Sequence, residues 1–448
     1  MKFKHITDDS RKVKKGSVFV AIKGEHFDAY NFIPEAISKG ADVIVSESKP
    51  KIDWLKKVKY LKVKDARDKL SRLSSEFYGN PGNKLTLIGV TGTDGKTTTS
   101  HMIYEILKKA GRNVGLISTI TSPGFHVTTP ESLELYKILA KFVKQRKEFV
   151  VLEVTSHAIA QKRISPLKFE IAVITNITHE HLDYHKTFEK YRDTKLKLLQ
   201  NAKVAVLNKD DRNYSYLYKN IHRKKLTYSL KENNLNLLKI MKKPIAEVGK
   251  YNVQNALAAY TTAKYFGINT ADIIDALENM QPPIGRLEEI KNKLGIKVYI
   301  DFAHTPNALK QVLKLLKSQK TGRVVVVFGC AGERDVKKRP MMANIATELA
   351  DVSIFTAEDP RSEDIKDIFS HMIKGVKNKQ AKYFKIAERG EAIYFAIRKV
   401  AKKGDIVLIA GKSHENSMAY NGAEYDWSDF LAVRMALRGK VLKIARND

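Results

Sequence analysis

Hydrophobic residues along this chain alternate between short continuous runs and longer amphipathic stretches. In the middle of the chain, four apolar runs have the length of buried strands, and amphipathic helical segments such as 100–110 and 132–145 separate them. The runs lie at 85–90, 149–152, 171–174 and 204–207. Strands that alternate with helices predict a parallel sheet covered by helices on both faces. Ligands of such sheets bind at the carboxyl ends of the strands.

The same alternation occurs on both sides of this central part. Strands are predicted at 18–22 and 41–45 near the start, and at 298–300, 324–328, 352–355 and 406–409 near the end. Breaker clusters rich in Gly, Pro and Asn lie at 79–82 and 281–285. The sequence therefore predicts an α/β protein of three domains, at 1–83, 84–282 and 283–448, with a Rossmann-like last domain.

The segment after the first central strand has the composition of a phosphate-binding loop. Residues 92–98 read GTDGKTT and lead into a predicted helix that begins near Thr97. Gly92 and Gly95 allow backbone N–H groups to approach an anion, and the helix N-terminus adds its positive dipole end. Lys96 can reach the outer phosphates, and the Thr97 hydroxyl can bind Mg²⁺. The loop therefore predicts a nucleoside triphosphate site.

The loop departs from the strict pattern G-x-x-x-x-G-K-[ST] at one position. The pattern requires glycine at position 90, whereas this chain has Val90, with Gly89 one residue earlier. The alternative interpretation is a glycine-rich turn between strand and helix that binds no ligand.

Polar residues also follow the next two predicted strands. Glu153-Val154-Thr155-Ser156-His157 follows one, with Gln161 and Arg163 close behind, and the His-rich segment 175–185 follows the other. Carboxylate and imidazole groups at neighbouring strand ends favour Mg²⁺ binding next to phosphates. A structural role and a zinc site are the alternatives, and the lack of nearby cysteine disfavours zinc. Lys195 lies on a predicted helix at 187–199, where spacing alone indicates an exposed lysine.

Composition adds limits on compartment and partners. The chain has 448 residues, of which 43% are hydrophobic, and a single cysteine, Cys330, which excludes an intrachain disulfide. It shows no apolar leader and no apolar run of membrane-spanning length, so we expect a cytoplasmic protein without membrane contact. The formal charge of +31 is spread along the chain. We attribute it to solvated lysine-rich faces and expect no nucleic-acid partner; a nucleic-acid-associated P-loop protein is the alternative.

Taken together, these motifs resemble the Mur ligases, the ATP-dependent amino-acid ligases that build the peptide of cell-wall precursors. The resemblance covers nearly the whole chain and is strongest to the MurE-type branch, which adds a diamino acid to UDP-N-acetylmuramoyl-L-alanyl-D-glutamate. The segments that carry it are 92–98, 153–157, 181–185 with Lys195, 285–288, 301–306, 328–335, 338–340 and 410–415.

The resemblance implies roles at individual positions. It implies ATP contacts at Gly92, Thr93, Asp94, Gly95, Lys96, Thr97, Thr98, Asn252, Asn255, Arg286, Asp301 and His304. It implies magnesium ligands at Thr97, Glu153 and His181, and catalytic roles for Lys96, Glu153, His181 and Lys195. Lys195 matches a lysine that carries a CO₂-derived carbamate, which would turn a cation into an anion able to support a second Mg²⁺.

The remaining implied sites bind the other two substrates. The UDP-muramoyl-dipeptide is expected at Ser10, Thr128, Thr129, Thr155, Gln161 and Arg163, and the diamino acid at Arg334, Asp359, Arg361, Gly411 and Glu415. Members that add diaminopimelate read its distal end with a D-N-P-R motif, which stands here as Glu358-Asp359-Pro360-Arg361. Arg361 favours a second carboxylate, whereas the Asp359 charge favours a terminal ammonium. Meso-diaminopimelate is the preferred amine and L-lysine the alternative.

The reaction implied by this resemblance belongs to peptidoglycan precursor synthesis. The D-glutamate γ-carboxylate attacks the ATP γ-phosphate, and the amine then displaces phosphate from the acyl phosphate, with the protein supplying position and charge. We expect a monomer. Another Mur branch, a folylpolyglutamate-type ligase and an inactive nucleotide-binding module are the remaining alternatives. The segment between Tyr228 and Gly249 is shorter than is usual in the family.

Overall fold

A computed structural model of the chain describes residues 3–24, 28–121, 128–231, 249–319 and 322–445. These residues form three α/β units that follow one another along the chain, each built on a sheet of parallel strands. The α/β architecture expected from the hydrophobic pattern is confirmed. Within these ranges, no helix combines the length and the apolar character that crossing a membrane requires.

The first unit is a small sheet covered on both faces. Its strands pair in parallel in the order β1-β2-β3-β4. Val18 and Val20 pack on one face while Phe19 and Ile44 pack on the other, as the two-residue period of a strand requires. The elements are β1 His5–Thr7, β2 Ser17–Ala21, α1 Ile33–Ser38, β3 Ala41–Ser46, α2 Ile52–Leu55, β4 Lys59–Lys62 and α3 Ala66–Phe77.

The second unit has six parallel strands among its described residues, in the order β10-β9-β8-β5-β7-β6. Because β5 lies between β7 and β8, the polar segments that follow these three strands meet at one edge. The elements are β5 Thr86–Thr91, α4 Lys96–Lys109, β6 Val114–Ile117, α5 Ser132–Lys144, β7 Phe149–Glu153, α6 Ser156–Ala160, β8 Phe169–Ile174, α7 Leu182–His185, α8 Phe188–Asn201, β9 Ala202–Asn208, α9 Tyr214–Asn220, β10 Lys224–Tyr228, α10 Lys250–Tyr265 and α11 Thr270–Asn279.

The third unit has a six-stranded sheet among its described residues, in the order β11-β12-β16-β13-β14-β15. In this sheet β11 pairs antiparallel with β12, and the other pairs are parallel. The elements are β11 Glu288–Glu289, β12 Lys297–Asp301, α12 Pro306–Ser318, β13 Val324–Phe328, α13 Lys338–Leu349, β14 Val352–Phe355, α14 Ile365–Ile373, β15 Tyr383–Lys385, α15 Arg389–Phe395, β16 Ile406–Ala410, the hairpin β17 Ser417–Tyr420 and β18 Ala423–Asp426, and α16 Asp429–Leu437.

Local chemistry explains where the elements around the sheet edge begin. The helix α4 starts directly after Gly95, whose φ of 82° lies in the left-handed region. A Cβ at Gly95 would overlap the side chain of Asn255, so both the backbone and the space require glycine. Helix α8 begins after Thr187, whose hydroxyl accepts a hydrogen bond from the N–H of Lys190.

The predicted strands and helices match described elements, with end positions that differ by at most two residues, except that the helix expected at 100–110 spans Lys96–Lys109. The central strand expected at 85–90 spans Thr86–Thr91, and the helix expected at 187–199 spans Phe188–Asn201. The expectation for the short segment after Tyr228 falls largely on residues 232–248, which lie outside the described residues.

Candidate active site

A cavity of about 1010 Å³ lies between the central and C-terminal units, at the carboxyl ends of their strands. It is lined by most of the site residues predicted from the sequence. These are Thr93, Asp94, Gly95, Lys96, Thr97, Thr98, Thr128, Thr155, Gln161, Arg163, His181, Asn252, Asn255, Arg286, Asp301, His304, Arg334, Asp359, Arg361, Gly411 and Glu415. Gly92, Thr129, Glu153 and Lys195 lie in the layer behind this lining, and Ser10 lines a different cavity.

The loop between β5 and α4 forms the floor of the cavity. The Lys96 ammonium donates hydrogen bonds to the carbonyl oxygens of Gly92, at 3.2 Å, and Thr93, at 2.8 Å. The Asn176 side chain accepts from the N–H of Asp94 at 3.1 Å. Burial lowers the pKa of Lys96, while the carboxylates of Glu153 and Asp94 oppose that shift. The hydrogen bonds of Lys96 therefore stay within the loop and hold its ammonium at the cavity.

The loop is also bonded to the C-terminal unit. The side chains of Thr305 and Asn307, at the start of α12, each donate a 2.8 Å hydrogen bond to one carboxylate oxygen of Asp94. The Arg286 guanidinium donates to the Thr97 hydroxyl at 2.9 Å. Sequence reasoning missed Asn307, because nothing local links it to a residue 213 positions earlier. These contacts bring Arg286 to the loop, and Asp301 and His304 line the same cavity.

Glu153 ends strand β7 directly beside this loop and is fully buried. One of its carboxylate oxygens accepts hydrogen bonds from the hydroxyls of Thr97, at 3.3 Å, and Thr119, at 3.1 Å. The other oxygen, Oε1, has no hydrogen-bond partner among the described residues. Burial raises the pKa of Glu153, while Lys96 and Arg286 oppose the shift. An unpaired buried carboxylate oxygen next to a threonine hydroxyl suits a hard cation such as Mg²⁺.

His181 lines the same cavity and has a left-handed conformation, with φ of 57°. Its ring packs against those of His157 and Tyr191. Burial, with the neighbouring His157, lowers the pKa of His181 well below its ordinary value, so the ring is neutral and able to bind a metal. In the described parts of the chain, no group of three or more His, Cys, Asp or Glu is arranged to hold a metal. A site made of Thr97, Glu153 and His181 contains only two such residues.

Lys195 is the residue for which local spacing was most misleading. The side chain expected on an exposed helix face is 1% exposed, and the exposed alternative is wrong. Its ammonium donates a 2.8 Å hydrogen bond to the carbonyl of Gly92 and lies 4.6 Å from the centre of the Tyr191 ring. Burial, with nearby Lys96, lowers the pKa of Lys195 well below its ordinary value. A buried lysine with a lowered pKa has more of the neutral amine that reacts with CO₂.

The N-terminal unit contributes a second cavity of about 750 Å³, which Ser10 lines. Gln161 lines both cavities, so it marks the point where they meet. The side-chain oxygen Oε1 of Gln161 accepts hydrogen bonds from the Arg163 guanidinium at 3.1 and 2.6 Å. Arg163 also donates to the carbonyl of Thr129 at 2.8 Å, and the Thr129 hydroxyl accepts from the N–H of Thr155. The four residues thus form one hydrogen-bonded wall that runs toward the first cavity.

The far end of the large cavity carries the residues assigned to the amino acid. Asp359 and Arg361 both have left-handed backbones, with φ of 46° and 55°. The Asp359 carboxylate accepts two 2.9 Å hydrogen bonds from Lys412, so its charge is engaged by a lysine of the protein. Ser413 has a φ of 52°, which is the conformation expected of glycine, and its hydroxyl donates to the carbonyl of Gly285 at 2.8 Å. The loop therefore keeps the backbone that a glycine would adopt.

Two further charged residues line the cavity and were not assigned a role from the sequence. Lys338, at the start of α13, donates 3.0 Å hydrogen bonds to the Glu180 carboxylate and to the carbonyl of His304, which ties the two units together. Glu358 is 6% exposed, and its Oε2 has no hydrogen-bond partner among the described residues. Burial raises the pKa of Glu358 to about 8, against the pull of Lys338. Lys338 lies in the family segment 338–340 and Glu358 in the segment 358–361, so these motifs were the sequence signal for both residues.

Comparison with known protein families gives three matches that together cover most of the chain. The model for the Mur ligase family, catalytic domain, matches residues 2–78. The model for the Mur ligase middle domain matches residues 90–263, and that for the Mur ligase, glutamate ligase domain, matches residues 285–413.

Individual relatives agree with these matches. The chain is 41% identical to a UDP-N-acetylmuramoyl-L-alanyl-D-glutamate–2,6-diaminopimelate ligase of Bacillus velezensis, over 94% of this chain and 91% of that protein. It is 37% identical to the protein of the same name from Cytophaga hutchinsonii, over 96% and 93%. A solved structure of a ligase of that name is 31% identical and superposes with a TM-score of 0.63, over 98% of this chain and 95% of the other.

Proposed function

The chain belongs to the Mur ligase family, and from that premise we propose that it uses ATP to join a diamino acid, preferably meso-diaminopimelate, to UDP-N-acetylmuramoyl-L-alanyl-D-glutamate. The observation that carries the proposal is one cavity lined by residues 93–98 of the glycine-containing loop, by His181, and by Arg163, Arg286, Arg334 and Arg361. The names of the relatives that are 37–41% identical support the same reaction. ADP and phosphate are the other products, and the step belongs to peptidoglycan precursor synthesis.

The first chemical step places charge on the phosphoryl group that is transferred. The γ-carboxylate of D-glutamate attacks the ATP γ-phosphorus, the bond to the β-phosphate oxygen breaks, and an acyl phosphate and ADP form. Lys96, which lines the cavity, and backbone N–H groups of the 92–98 loop are proposed to neutralise the developing charge. The proposed remainder of the ATP site lines the same cavity and consists of Asn252, Asn255, Arg286, Asp301 and His304.

The residues around Glu153 fit a magnesium ion. Its unpaired Oε1, the Thr97 hydroxyl and the neutral His181 ring are the proposed protein ligands. The bound cation supplies charge neutralisation for the phosphates. Lys195, as a carbamate, is the proposed support for a second ion, and its burial behind the Gly92 carbonyl places it next to the loop.

The nucleotide-sugar substrate is proposed to extend between the two cavities. Ser10 lies in the N-terminal cavity and Thr128 in the large cavity, and the hydrogen-bonded wall of Thr129, Thr155, Gln161 and Arg163 leads to the proposed ATP site. Gln161, which lines both cavities, fits a substrate that is anchored in one unit and reacts in another. This path would deliver the D-glutamate carboxylate to the phosphate-binding loop.

The charges at the far end of the cavity favour diaminopimelate over lysine. The Asp359 carboxylate is occupied by both hydrogen bonds from Lys412, so it is less available to a terminal ammonium. Arg361 lines the cavity with a planar guanidinium, which binds carboxylates in a bidentate manner. Arg334, Gly411 and Glu415 line the same region and are proposed to hold the other end of the amino acid. L-Lysine lacks the second carboxylate that Arg361 would bind.

The deciding experiment measures phosphate release from ATP and Mg²⁺ with UDP-N-acetylmuramoyl-L-alanyl-D-glutamate and one added amine at a time. We expect release with meso-diaminopimelate and at least tenfold lower kcat/KM with L-lysine, since a lost charge-assisted contact costs about 1.5–3 kcal/mol. A reversed preference would replace the substrate assignment. No release with either amine, together with activity on a folate acceptor and glutamate, would overturn the proposal.

Asp359→Asn tests the charge argument. The substitution removes a negative charge next to Arg361 but keeps an oxygen that accepts from Lys412. We expect the ratio of kcat/KM for meso-diaminopimelate to that for L-lysine to rise about three- to tenfold, because the remaining charge favours a second carboxylate. An unchanged ratio, measured in the same phosphate assay, would remove Asp359 from amine selection.

We also propose that the domain boundaries lie near residues 83 and 282, and that the protein is a monomer located in the cytoplasm. ATP and a UDP-linked substrate are the small-molecule partners that it requires, and it assigns no role to nucleic acid or membrane. Light scattering at micromolar concentration tests the monomer.

A further inference from the structure

The loop after β16 and the loop after β14 are joined by one buried lysine. Lys412 belongs to the first loop and Asp359 to the second, and strand β13 lies between the two strands in the sheet. The Lys412 ammonium donates to both Asp359 carboxylate oxygens at 2.9 Å and lies 2.6 Å from a Glu415 carboxylate oxygen. A single ammonium therefore contacts two carboxylates that line the amino-acid end of the cavity.

Lys412 lies behind the cavity wall and not on it. Its side chain is 2% exposed, whereas those of Asp359 and Glu415 are 18% and 40% exposed. Asp359 and Glu415 are among the described residues that line the cavity, whereas Lys412 is not. The lysine is thus placed to act on the substrate through its partners.

The backbone around Asp359 needs such a support. Asp359 and Arg361 are both left-handed, a conformation that costs free energy in residues other than glycine and persists only when the surroundings enforce it. Besides Lys412, the N–H of Ala419 donates to the Asp359 carboxylate at 2.9 Å. The N–H of Arg361 donates to the carbonyl of the same Ala419 at 3.0 Å. These bonds fix the direction in which the Arg361 side chain leaves the backbone.

We propose that Lys412 is a positioning residue for the added amino acid: its buried ammonium holds the Asp359 and Glu415 carboxylates, and through them Arg361, in the geometry that binds the diamino acid. The inference rests on the proposed function, because it assigns this wall to the amino acid. The inference adds that the ion pairs of Lys412 with Asp359 and Glu415 fix the positions of these carboxylates before the diamino acid binds.

The test compares Lys412→Met with the unaltered protein in the phosphate-release assay. Methionine has a similar length and no charge. We expect KM for meso-diaminopimelate to rise about 10- to 100-fold, while KM for ATP and for the UDP-muramoyl-dipeptide changes less than about threefold. Lys412→Arg keeps a buried cation that donates to two carboxylates, so it is expected to recover most of the loss.

Two further variants separate positioning from stability. Arg323→Met breaks the 2.7 Å ion pair with Asp405 at the opposite ends of the strands, away from the cavity, and is expected to lower the melting temperature without changing KM for the diamino acid. The double variant Lys412→Met/Asp359→Asn leaves less unpaired charge and carries the test if Lys412→Met does not fold. Compared with Asp359→Asn alone, it is expected to show the same rise in KM for the diamino acid.

The outcomes distinguish this inference from the proposed function. An active unaltered protein, combined with an unchanged KM for the diamino acid in the folded Lys412→Met or double variant, overturns the positioning role alone. An equal rise in KM for all three substrates does the same, because it indicates a general structural defect. Inactivity of the unaltered protein with every amine overturns the proposed function and this inference with it.

Discussion

Replacing Lys195 by alanine is expected to reduce kcat by at least about 100-fold, because the variant loses the group proposed to carry the carbamate at the magnesium site. The side chain is buried and donates to the Gly92 carbonyl at 2.8 Å, so it lies against the phosphate-binding loop. Phosphate release with saturating substrates measures the loss. Incorporation of ¹³C from labelled bicarbonate, followed by ¹³C NMR, should give a carbamate signal in the unaltered protein that is missing in the variant.

Two controls make the Lys195 result specific. Lys195→Arg keeps a buried cation but carries no amine that forms a carbamate, so it is expected to be as inactive as alanine. Lys197→Ala changes an exposed lysine of the same helix and is expected to keep full activity. Full activity of Lys195→Arg would show that the lysine acts as a cation or as a structural group, and would refute the carbamate.

Lys96→Met is expected to reduce kcat about 1,000-fold. The lysine is proposed to neutralise charge on the phosphoryl group as it passes to the D-glutamate carboxylate, a contribution that is largest in the transition state. Binding of ATP, measured by calorimetry, is expected to weaken less than about tenfold, because the loop N–H groups and the proposed magnesium site remain. The rate is therefore expected to fall far more than the affinity.

The control for Lys96 lies on the same helix. Lys108, near the end of α4, is exposed and its pairing with Glu105 is long, at 3.9 Å. Lys108→Met is expected to change kcat less than twofold, since an exposed pair contributes little. A kcat for Lys96→Met within tenfold of the unaltered protein would contradict the proposed role of the loop lysine.

Local signals were sufficient for the sheets and for the turn between strand β5 and helix α4. Continuous apolar runs predict buried strands whatever lies elsewhere in the chain, and the strand at Thr86–Thr91 followed by a helix from Lys96 confirms the pattern. The need for glycine at position 95 is also a local property, because the left-handed φ of 82° belongs to the turn itself. Such features depend on neighbouring residues, which the sequence displays directly.

Lys195 shows where local signals fail. Helical spacing indicated an exposed lysine, and the structure buries it because the same face of α8 carries Tyr191, Leu198 and Leu199 into the core of the central unit. The family resemblance, and not the spacing, singled out this position. The sequence alone does not show that the Lys195 ammonium will donate a hydrogen bond to the backbone carbonyl of Gly92.

The sequence by itself determined the α/β class, the three successive units, the strand–turn–helix segment around residues 92–98 and the family to which the motifs belong, since each depends on residues that are close along the chain. Only the tertiary structure decided which charges meet. The Asp94 carboxylate binds Asn307, the Glu180 carboxylate binds Lys338, and the Asp359 carboxylate binds Lys412. These partners are 213, 158 and 53 residues apart, and no local pattern relates them. They meet because parallel strands bring their carboxyl ends to one edge of each sheet, and the two edges face one cavity.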